Sequence, residues 1–203
     1  MKFPKIILVT VALGLLSACT FQNTKYAAEV SAEQSAGWHL HGVQVTVPTA
    51  LTTSDVNLFQ PNVDVVWHGD PAGDRKQQVA VILEDAIESA AENMSGPRGV
   101  VVQATLIRFH SLTPKARAVT GGVHKVAFSI QVVDDETGAV LAGPTVIEAD
   151  VEAFGGWQAV EADARGDTPK LRISNRITEV VRSWLGLAGS DAVVQSRVLA
   201  LGH

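Results

Sequence analysis

Two neighbouring stretches of alternating apolar and polar residues constrain the fold more than any other feature of the sequence. Residues 100–112 and 123–133 place apolar side chains at every second position, which is the period of a strand buried on one face. If the two strands pair antiparallel with Leu106 opposite Phe128, the apolar residues Val102, Ala104 and Leu106 lie on the same face as Val132, Ile130 and Phe128. A shift by one residue would scatter them, so the pattern predicts a half-buried antiparallel pair in this register.

Further segments extend this pair into a larger sheet. Residues 38–47, "WHLHGVQVTV", alternate in the same way, and 63–67, "VDVVW", form a second short apolar run. The segment 134–140, "DDETGAV", contains a glycine and is typical of a hairpin turn. The residues after it, 140–153, alternate again. These segments predict two strands before the central pair and one after it.

Two stretches have the three- and four-residue spacing of a helix that buries one stripe. The first follows Asp70 and Asp74, either of which can cap its start, and Gly96 is expected to end it. The second begins with Thr168 as the cap and Pro169 in the first turn. The predicted order is β-β-α-β-β-β-α, an α+β two-layer sandwich with a mainly antiparallel sheet covered on one face by two helices.

The amino-terminal residues are typical of an export signal. Lys2 and Lys5 precede about eleven mostly apolar residues that end at Leu16. This run is shorter than the roughly 20 residues that a membrane-spanning helix needs. Residues 1–18 are therefore predicted to be a signal peptide that directs the chain out of the cytoplasm.

The sequence Leu16-Ser17-Ala18-Cys19 resembles the bacterial lipobox, an aliphatic residue and two small residues before a cysteine that becomes acylated. The resemblance implies that Cys19 is the first residue of the mature chain and carries acyl chains that anchor it in a membrane. Two or more acyl chains give stable anchoring. Thr20 is not the aspartate that retains such proteins in the inner membrane of some bacteria, so the resemblance favours the outer membrane.

The remaining chain divides into a tether, a domain and a tail. Residues 19–37 are small and polar without a sustained period, and they are predicted to form a flexible tether. Residues 38–186 form a single α+β domain, and 187–203 a loosely attached tail. Without the signal peptide, 14 basic and 21 acidic residues remain, a net charge of −7. An acidic chain of this kind is not expected to bind nucleic acid, since nucleic-acid-binding domains present a basic face.

A candidate binding face lies at one end of the central strand pair. The predicted register places His110 opposite His124, with Arg108 on the same face and Lys115 and Arg117 in the intervening loop. These residues could bind an anionic ligand or a partner. Alternatively, the histidines are partly buried and hydrogen-bonded and serve only the structure. Both interpretations fit the residues.

Catalysis and cofactor binding have little support in the sequence. A zinc site needs three or four ligands, and two histidines at strand spacing are too few, so neither a metal nor a cofactor is predicted. No Gly-x-Ser-x-Gly motif is present, and the only thiol is that of Cys19. We therefore expect the protein not to be an enzyme. Of the four tryptophans, Trp157 follows two glycines in an expected loop and could be exposed as an interaction anchor.

Two longer stretches, "RFHSLTPKAR…GGVHKVAFSIQVVDDETGAVL" and "AFGGWQAVEADARGDTPKLRI", resemble an uncharacterised family of small bacterial lipoproteins over about residues 60–186. The strand and helix order is also similar to lipid-anchored auxiliary subunits of envelope transport systems. The resemblance implies a non-enzymatic lipoprotein, anchored on the periplasmic side, that binds an envelope partner or assists transport. The alternative is a ligand-, anion- or metal-binding protein or an enzyme that uses Arg108, His110 and His124.

Overall fold

The chain forms one mixed sheet with helices on one of its faces. The computed structural model describes residues 24–25 and 30–187. Its strands are β1 (Thr24–Lys25), β2 (Trp38–Thr46), β3 (Val65–Val66), β4 (Arg98–His110), β5 (Gly122–Asp134), β6 (Val140–Ala149) and β7 (Val151–Ala153). Its helices are α1 (Ala32–Ser35), α2 (Arg75–Ala91), α3 (Pro114–Arg117), α4 (Gly156–Ala164) and α5 (Pro169–Trp184).

The centre of the sheet is antiparallel and one side of it is parallel. The strand order is β1-β6-β5-β4-β2, with β3 also paired to β4 and β7 also paired to β5. The strands β4, β5 and β6 run antiparallel, whereas β2 and β3 run parallel to β4. A parallel neighbour requires a crossover, and α2 provides it between β3 and β4. The predicted α+β class with a mainly antiparallel sheet is confirmed, but the parallel edge was not predicted.

The helices α2 and α5 cover one face of the sheet and pack on each other. Their buried stripes contain the fully buried residues Leu83, Ile87, Ile173, Ile177 and Trp184. The sheet contributes alternate residues of β4, β5 and β6 to the same core. On the other face of β4 and β5, side chains remain partly or fully exposed. The core therefore lies between one sheet face and two helices, as the two-layer prediction requires.

The helix caps are partly those that the sequence predicts. Asp74, not Asp70, caps α2: its carboxylate accepts from the backbone N–H groups of Lys76 and Gln77 at 2.9 and 3.1 Å. Thr168 caps α5 through Leu171 N–H. The predicted role of Gly96 as the end of α2 is wrong, because the helix ends at Ala91.

Gly96 serves a close backbone contact instead. A Cβ atom placed on Gly96 would lie 2.2 Å from the carbonyl carbon of Gly37 and 2.3 Å from the backbone nitrogen of Trp38. The backbone N–H of Gly96 donates to the carbonyl oxygen of Trp38 at 2.7 Å. A side chain at this position would push the start of β2 away from the start of β4.

Part of the segment predicted to be a tether packs on the domain. Val30 is 5% exposed, and its backbone N–H donates to the carbonyl oxygen of Trp184 at 2.8 Å. It is followed by the short helix α1, which Ser31 caps. The packed domain thus begins before the predicted boundary at residue 38. The predicted signal peptide, Cys19 and the tail from 188 onward lie outside the described residues.

Candidate functional site

An open cleft of about 760 Å³ lies at the end of the sheet where β4 ends and β5 begins. Arg108, His110 and Lys125 line it from the sheet. The loop 59–64 borders one side, and residues 120–123 border another. Two of the five residues of the predicted binding face therefore lie in a cleft, together with a lysine from the neighbouring strand.

A β-bulge in β4 turns Arg108 and His110 towards this cleft. The predicted register holds as far as Leu106, which pairs with Phe128, but Arg108 pairs with Ala127. Ile107 is therefore the extra residue of the bulge. Both Ile107 and Arg108 are exposed, and Phe109 is fully buried. The bulge moves the even-numbered residues that follow it from the core face to the open face.

The predicted pairing of His110 with His124 is wrong for this reason. His110 pairs with Lys125 across the two strands, and Phe109 pairs with Val126. His110 lies on the open face, whereas His124 is 2% exposed on the face that the helices cover. The two imidazoles are therefore on opposite faces of the sheet and cannot act on one ligand together.

His124 belongs to the interior of the protein. Its Nδ1 atom and the hydroxyl oxygen of Ser111 form a hydrogen bond of 2.9 Å, and Ser111 is 3% exposed. Burial, with the positive charges of Arg172 and Arg117 adding to it, lowers the pKa of His124 to about 4. The imidazole is therefore neutral at pH 7, and the structural interpretation of this histidine holds.

Arg108 and Lys125 carry charges that no carboxylate in the described part of the chain neutralises by direct contact. Neither forms an ion pair within 4.0 Å, whereas Arg98 and Arg117 each contact an aspartate at 2.7 Å. Arg108 pairs with Ala127, two residues from Lys125 on the same face, so the two cations are diagonal neighbours. Such neighbours lie roughly 7–8 Å apart, close enough to contact one anionic group.

Two acidic residues stand near these cations without pairing with them. The Asp64 carboxylate accepts from the N–H and the hydroxyl of Thr52, each at 2.8 Å, and these bonds lower its pKa. Burial raises the pKa of Asp150, and the charge of Glu148 adds to that effect. The charge of Arg108 also acts to lower the pKa of Asp64, and those of Lys125 and Arg108 act to lower that of Asp150, so the aspartates offset part of the positive charge. Neither aspartate forms an ion pair with the two cations, whose N–H groups can therefore still contact a ligand.

His110 attaches the loop 59–64 to the sheet. Its Nε2 atom lies 3.0 Å from the carbonyl oxygen of Pro61, and a carbonyl can only accept, so Nε2 carries the hydrogen. The backbone N–H of Phe109 also donates to the carbonyl oxygen of Asp64 at 3.0 Å. His110 therefore shapes one wall of the cleft.

The other two residues of the predicted face, Lys115 and Arg117, do not line the cleft. The guanidinium of Arg117 donates to both carboxylate oxygens of Asp163, at 2.7 and 2.8 Å, and to the carbonyl oxygen of Ala159. The Nζ atom of Lys115 lies 4.9 Å from the centre of the Phe59 ring, at the rim of the cleft. Arg117 thus connects α3 to α4 and has no free edge for a ligand.

The glycines beside the cleft allow the chain to approach itself. A Cβ atom placed on Gly155 would lie 1.8 Å from the backbone nitrogen of Gly121. Gly121 also has a φ of 67°, which favours glycine. The backbone that approaches Gly121 is that of the segment before α4.

Two further observations concern the arginines of α5 and the groups that could ligate a metal. Arg172 and Arg176 do not line the cleft: Arg172 contacts Asp167 and the ring of Phe154, and Arg176 is 5% exposed beside Glu179. Within residues 24–25 and 30–187, no three side chains from His, Cys, Asp or Glu are grouped so that they could hold a metal ion.

A second hollow on the open face was not predicted from sequence. Gln131 donates to Gln103 at 2.7 Å and Gln103 donates to Gln44 at 3.0 Å, so three glutamines form a row across β5, β4 and β2. They border a hollow of about 370 Å³. Strand alternation places these three glutamines on the open face. Their hydrogen bonds could not be predicted, because they depend on β2, β4 and β5 being neighbours in the sheet.

The comparison with known families gives one clear result. The sequence model of a family of unknown function, DUF6778, matches residues 38–200. The chain belongs to this family. No curated protein matches it. DUF6778 describes no activity, so membership confirms the predicted uncharacterised family and assigns no role to the cleft.

Solved structures resemble the domain at low sequence identity. A PelC dodecamer from Paraburkholderia phytofirmans is 9% identical with a TM-score of 0.35, covering 82% of this chain and 97% of that one. A Xanthomonas campestris protein of family DUF330 is 12% identical with a TM-score of 0.45, covering 86% and 96%. A candidate lipoprotein from Caulobacter crescentus is 10% identical with a TM-score of 0.36, covering 75% and 92%. Likeness at these scores carries no functional argument.

None of the helices within residues 30–187 is long and apolar enough to cross a bilayer. The longest, α2, has charged residues along its exposed side.

Proposed function

We propose that this protein is a lipid-anchored binding protein of the bacterial cell envelope, and that its cleft binds an anionic group of a ligand or partner protein. Cys19 carries the anchor, the domain is on the periplasmic side, and the outer membrane is the favoured location. The protein acts by binding and not by catalysis. The observation that carries the binding proposal is a pair of cations in an open cleft, Arg108 and Lys125, neither of which forms an ion pair within the described residues.

The anchor is supported by the sequence before the domain. Cys19 follows a short apolar run and the small residues Ser17 and Ala18, in the pattern of a lipobox. The first residue of the continuously described domain is Val30. Val30 therefore follows Cys19 by eleven positions, and a chain of that length spans at most about 40 Å. The proposed anchor keeps the domain close to the bilayer.

The environment of the one serine–histidine contact beside the cleft supports binding over catalysis. A general base that activates Ser111 would have to accept a proton at His124. Burial and the charges of Arg172 and Arg117 oppose that protonation and lower the pKa to about 4. Those neighbouring charges are positive, whereas the imidazolium that forms in a catalytic triad is stabilised by the negative charge of a carboxylate. This pair is suited to holding β5 against the segment after β4.

The anchor is tested by metabolic labelling of cells with an alkyne fatty acid. The wild-type chain should take up the label and fractionate with membranes. A Cys19→Ser variant should lose both properties while its domain remains folded. An unlabelled wild-type chain that is released as a soluble protein would refute the anchor.

The cleft is tested by nuclear magnetic resonance with two simple probes, inorganic phosphate and galacturonate, which represent phosphoryl and sugar-carboxylate groups. The Cys19→Ser protein, which is expected to be soluble, is titrated at low and high salt. We expect shifts at Arg108, Lys125 and residues 120–123, and they should weaken as salt rises because the attraction is electrostatic. Shifts spread evenly over all surface cations would refute a specific site.

A further inference from the structure

The outer side of α4 carries two large exposed apolar side chains beside the exposed polar residues Gln158 and Glu161. Trp157 is 72% exposed and Val160 is 57% exposed, and they are three residues apart on one side of the helix. The opposite side of α4 is the buried one, where Ala159 and Ala162 are 3% and 0% exposed. The helix is therefore seated on the domain by two small residues, while its two large apolar side chains face outward.

Val119 extends this exposed surface. It is 63% exposed, and its carbonyl oxygen lies 3.7 Å from a Cβ atom placed on Gly156, the residue before Trp157. The contact of Arg117 with Asp163 fixes the segment that carries Val119 against α4. Val119, Trp157 and Val160 together are called the α4 face below. An exposed apolar face that contains a tryptophan is suited to an interface that is apolar on one side and aqueous on the other.

The amino-terminal end of the chain is attached at the same end of the sheet. Thr24 pairs with Ala149, the last residue of β6, and Lys25 pairs with Glu148. Since β1 is antiparallel to β6, the chain before Thr24 joins the sheet at the end where β6 finishes. There β7 pairs with the start of β5, and only two residues separate the end of β7 from the start of α4.

The distance to the anchor is short. Cys19 precedes Thr24 by five residues, and five extended residues span at most about 18 Å. A bilayer that holds Cys19 therefore lies within about 18 Å of the sheet end that carries the α4 face. The anchor therefore limits which side of the domain can meet the membrane.

We propose that the α4 face rests in the headgroup region of the bilayer to which Cys19 is anchored, with Trp157 as the side chain that enters the lipid. Tryptophan is enriched at membrane–water interfaces because its ring is apolar and its N–H group can remain hydrated. The inference rests on the proposed function, since it requires the acyl anchor. It adds an orientation, in which the sheet end with β7 faces the membrane and the hairpin between β5 and β6 faces away.

Trp157 allows a direct test, because the other three tryptophans are buried. Trp38, Trp67 and Trp184 are 4%, 0% and 1% exposed. The full acylated chain is placed in vesicles of phosphatidylethanolamine and phosphatidylglycerol with brominated acyl chains. We expect the brominated acyl chains to quench the fluorescence of Trp157. Iodide in solution should quench this fluorescence less when the protein is bound to vesicles than when it is not. The Trp157→Phe variant should show neither effect.

A matched control reports on the opposite end of the sheet. Val140 begins β6 and is 54% exposed. It lies about 30 Å from Ala149 along the strand. Val140→Trp in the Trp157→Phe background again has one exposed tryptophan. This tryptophan should remain accessible to iodide and should not be quenched by the brominated lipid.

The outcomes separate the orientation from the anchor. If the acylated chain binds vesicles but Trp157 stays accessible to iodide and is not quenched by bromine, the orientation is refuted and the anchor stands. If the wild-type chain carries no acyl group, the anchor is refuted and the orientation with it. If iodide loses access to Trp157 in the Cys19→Ser protein without vesicles as concentration rises, a second copy covers the α4 face and the orientation is overturned.

Discussion

The buried histidine predicts a specific loss of stability in acid. The pKa of His124 is about 4 in the folded protein, while the unperturbed value is 6.5. The unfolded chain therefore binds a proton at His124 more readily than the folded protein does. The contribution of neutral His124 to stability is complete above pH 6.5 and is lost progressively as the pH falls from 6.5 to about 4.

The size of this loss follows from the two pKa values. Each unit of difference corresponds to about 1.4 kcal/mol, so the full difference corresponds to roughly 3 kcal/mol, with about 2 kcal/mol already lost at pH 5. His124 is 2% exposed, so solvent screening reduces this value little. Burial also lowers the pKa of His68, so this residue causes a further loss of stability as the pH falls. The wild-type slope alone therefore does not isolate His124.

The contribution of His124 is isolated by comparing urea unfolding of the wild type with that of His124→Asn at pH 7.5, 6, 5 and 4.5. Asparagine is smaller and does not titrate, so we expect a lower free energy of unfolding at pH 7.5 and a shallower decline in acid. Parallel declines for wild type and His124→Asn would refute the buried, neutral assignment of His124.

Two further substitutions test the packing beside the cleft and the start of α5. Gly155→Ala should lower the free energy of unfolding by about 2–3 kcal/mol, since its Cβ would overlap Gly121, whereas Gly42→Ala, with nothing within 4 Å, should change it by less than about 1 kcal/mol. Equal effects in urea unfolding would contradict the close approach. Thr168→Ala should cost about 1 kcal/mol through loss of the bond to Leu171 N–H, and an unchanged thermal midpoint would argue against that cap.

The sequence predicts the core of the fold well because burial leaves a periodic signal. The register of β4 with β5 is correct up to Leu106, since only this alignment puts both apolar sets on one face. The parallel edge formed by β2 and β3 leaves no comparable signal. The short helix α4 was not predicted either, because "GGWQAVEADA" begins with two glycines and buries only small residues.

The candidate site was harder to predict, because it depends on one inserted residue. Ile107 is exposed although it is apolar, so its residue type does not show that it is the extra residue of the bulge. The true neighbour of His110 is therefore Lys125 and not His124. The partner of Arg117 is Asp163, 46 residues away, and no spacing in the sequence connects them. The loop 59–64, which forms a wall of the cleft, has no period at all.

The most direct measurement of the central claim is the affinity of the cleft for an anion when its two charges are removed. Phosphate and galacturonate are titrated into the wild type, the double variant Arg108→Gln/Lys125→Gln, and Arg165→Gln. The last variant is the control, because Arg165 is an exposed cation that does not line the cleft. We expect the double variant to lose at least tenfold in affinity for one of the two anions without loss of folding, and Arg165→Gln to bind as the wild type does. If the double variant binds both anions with wild-type affinity, or Arg165→Gln loses as much, the cleft is not the anion site.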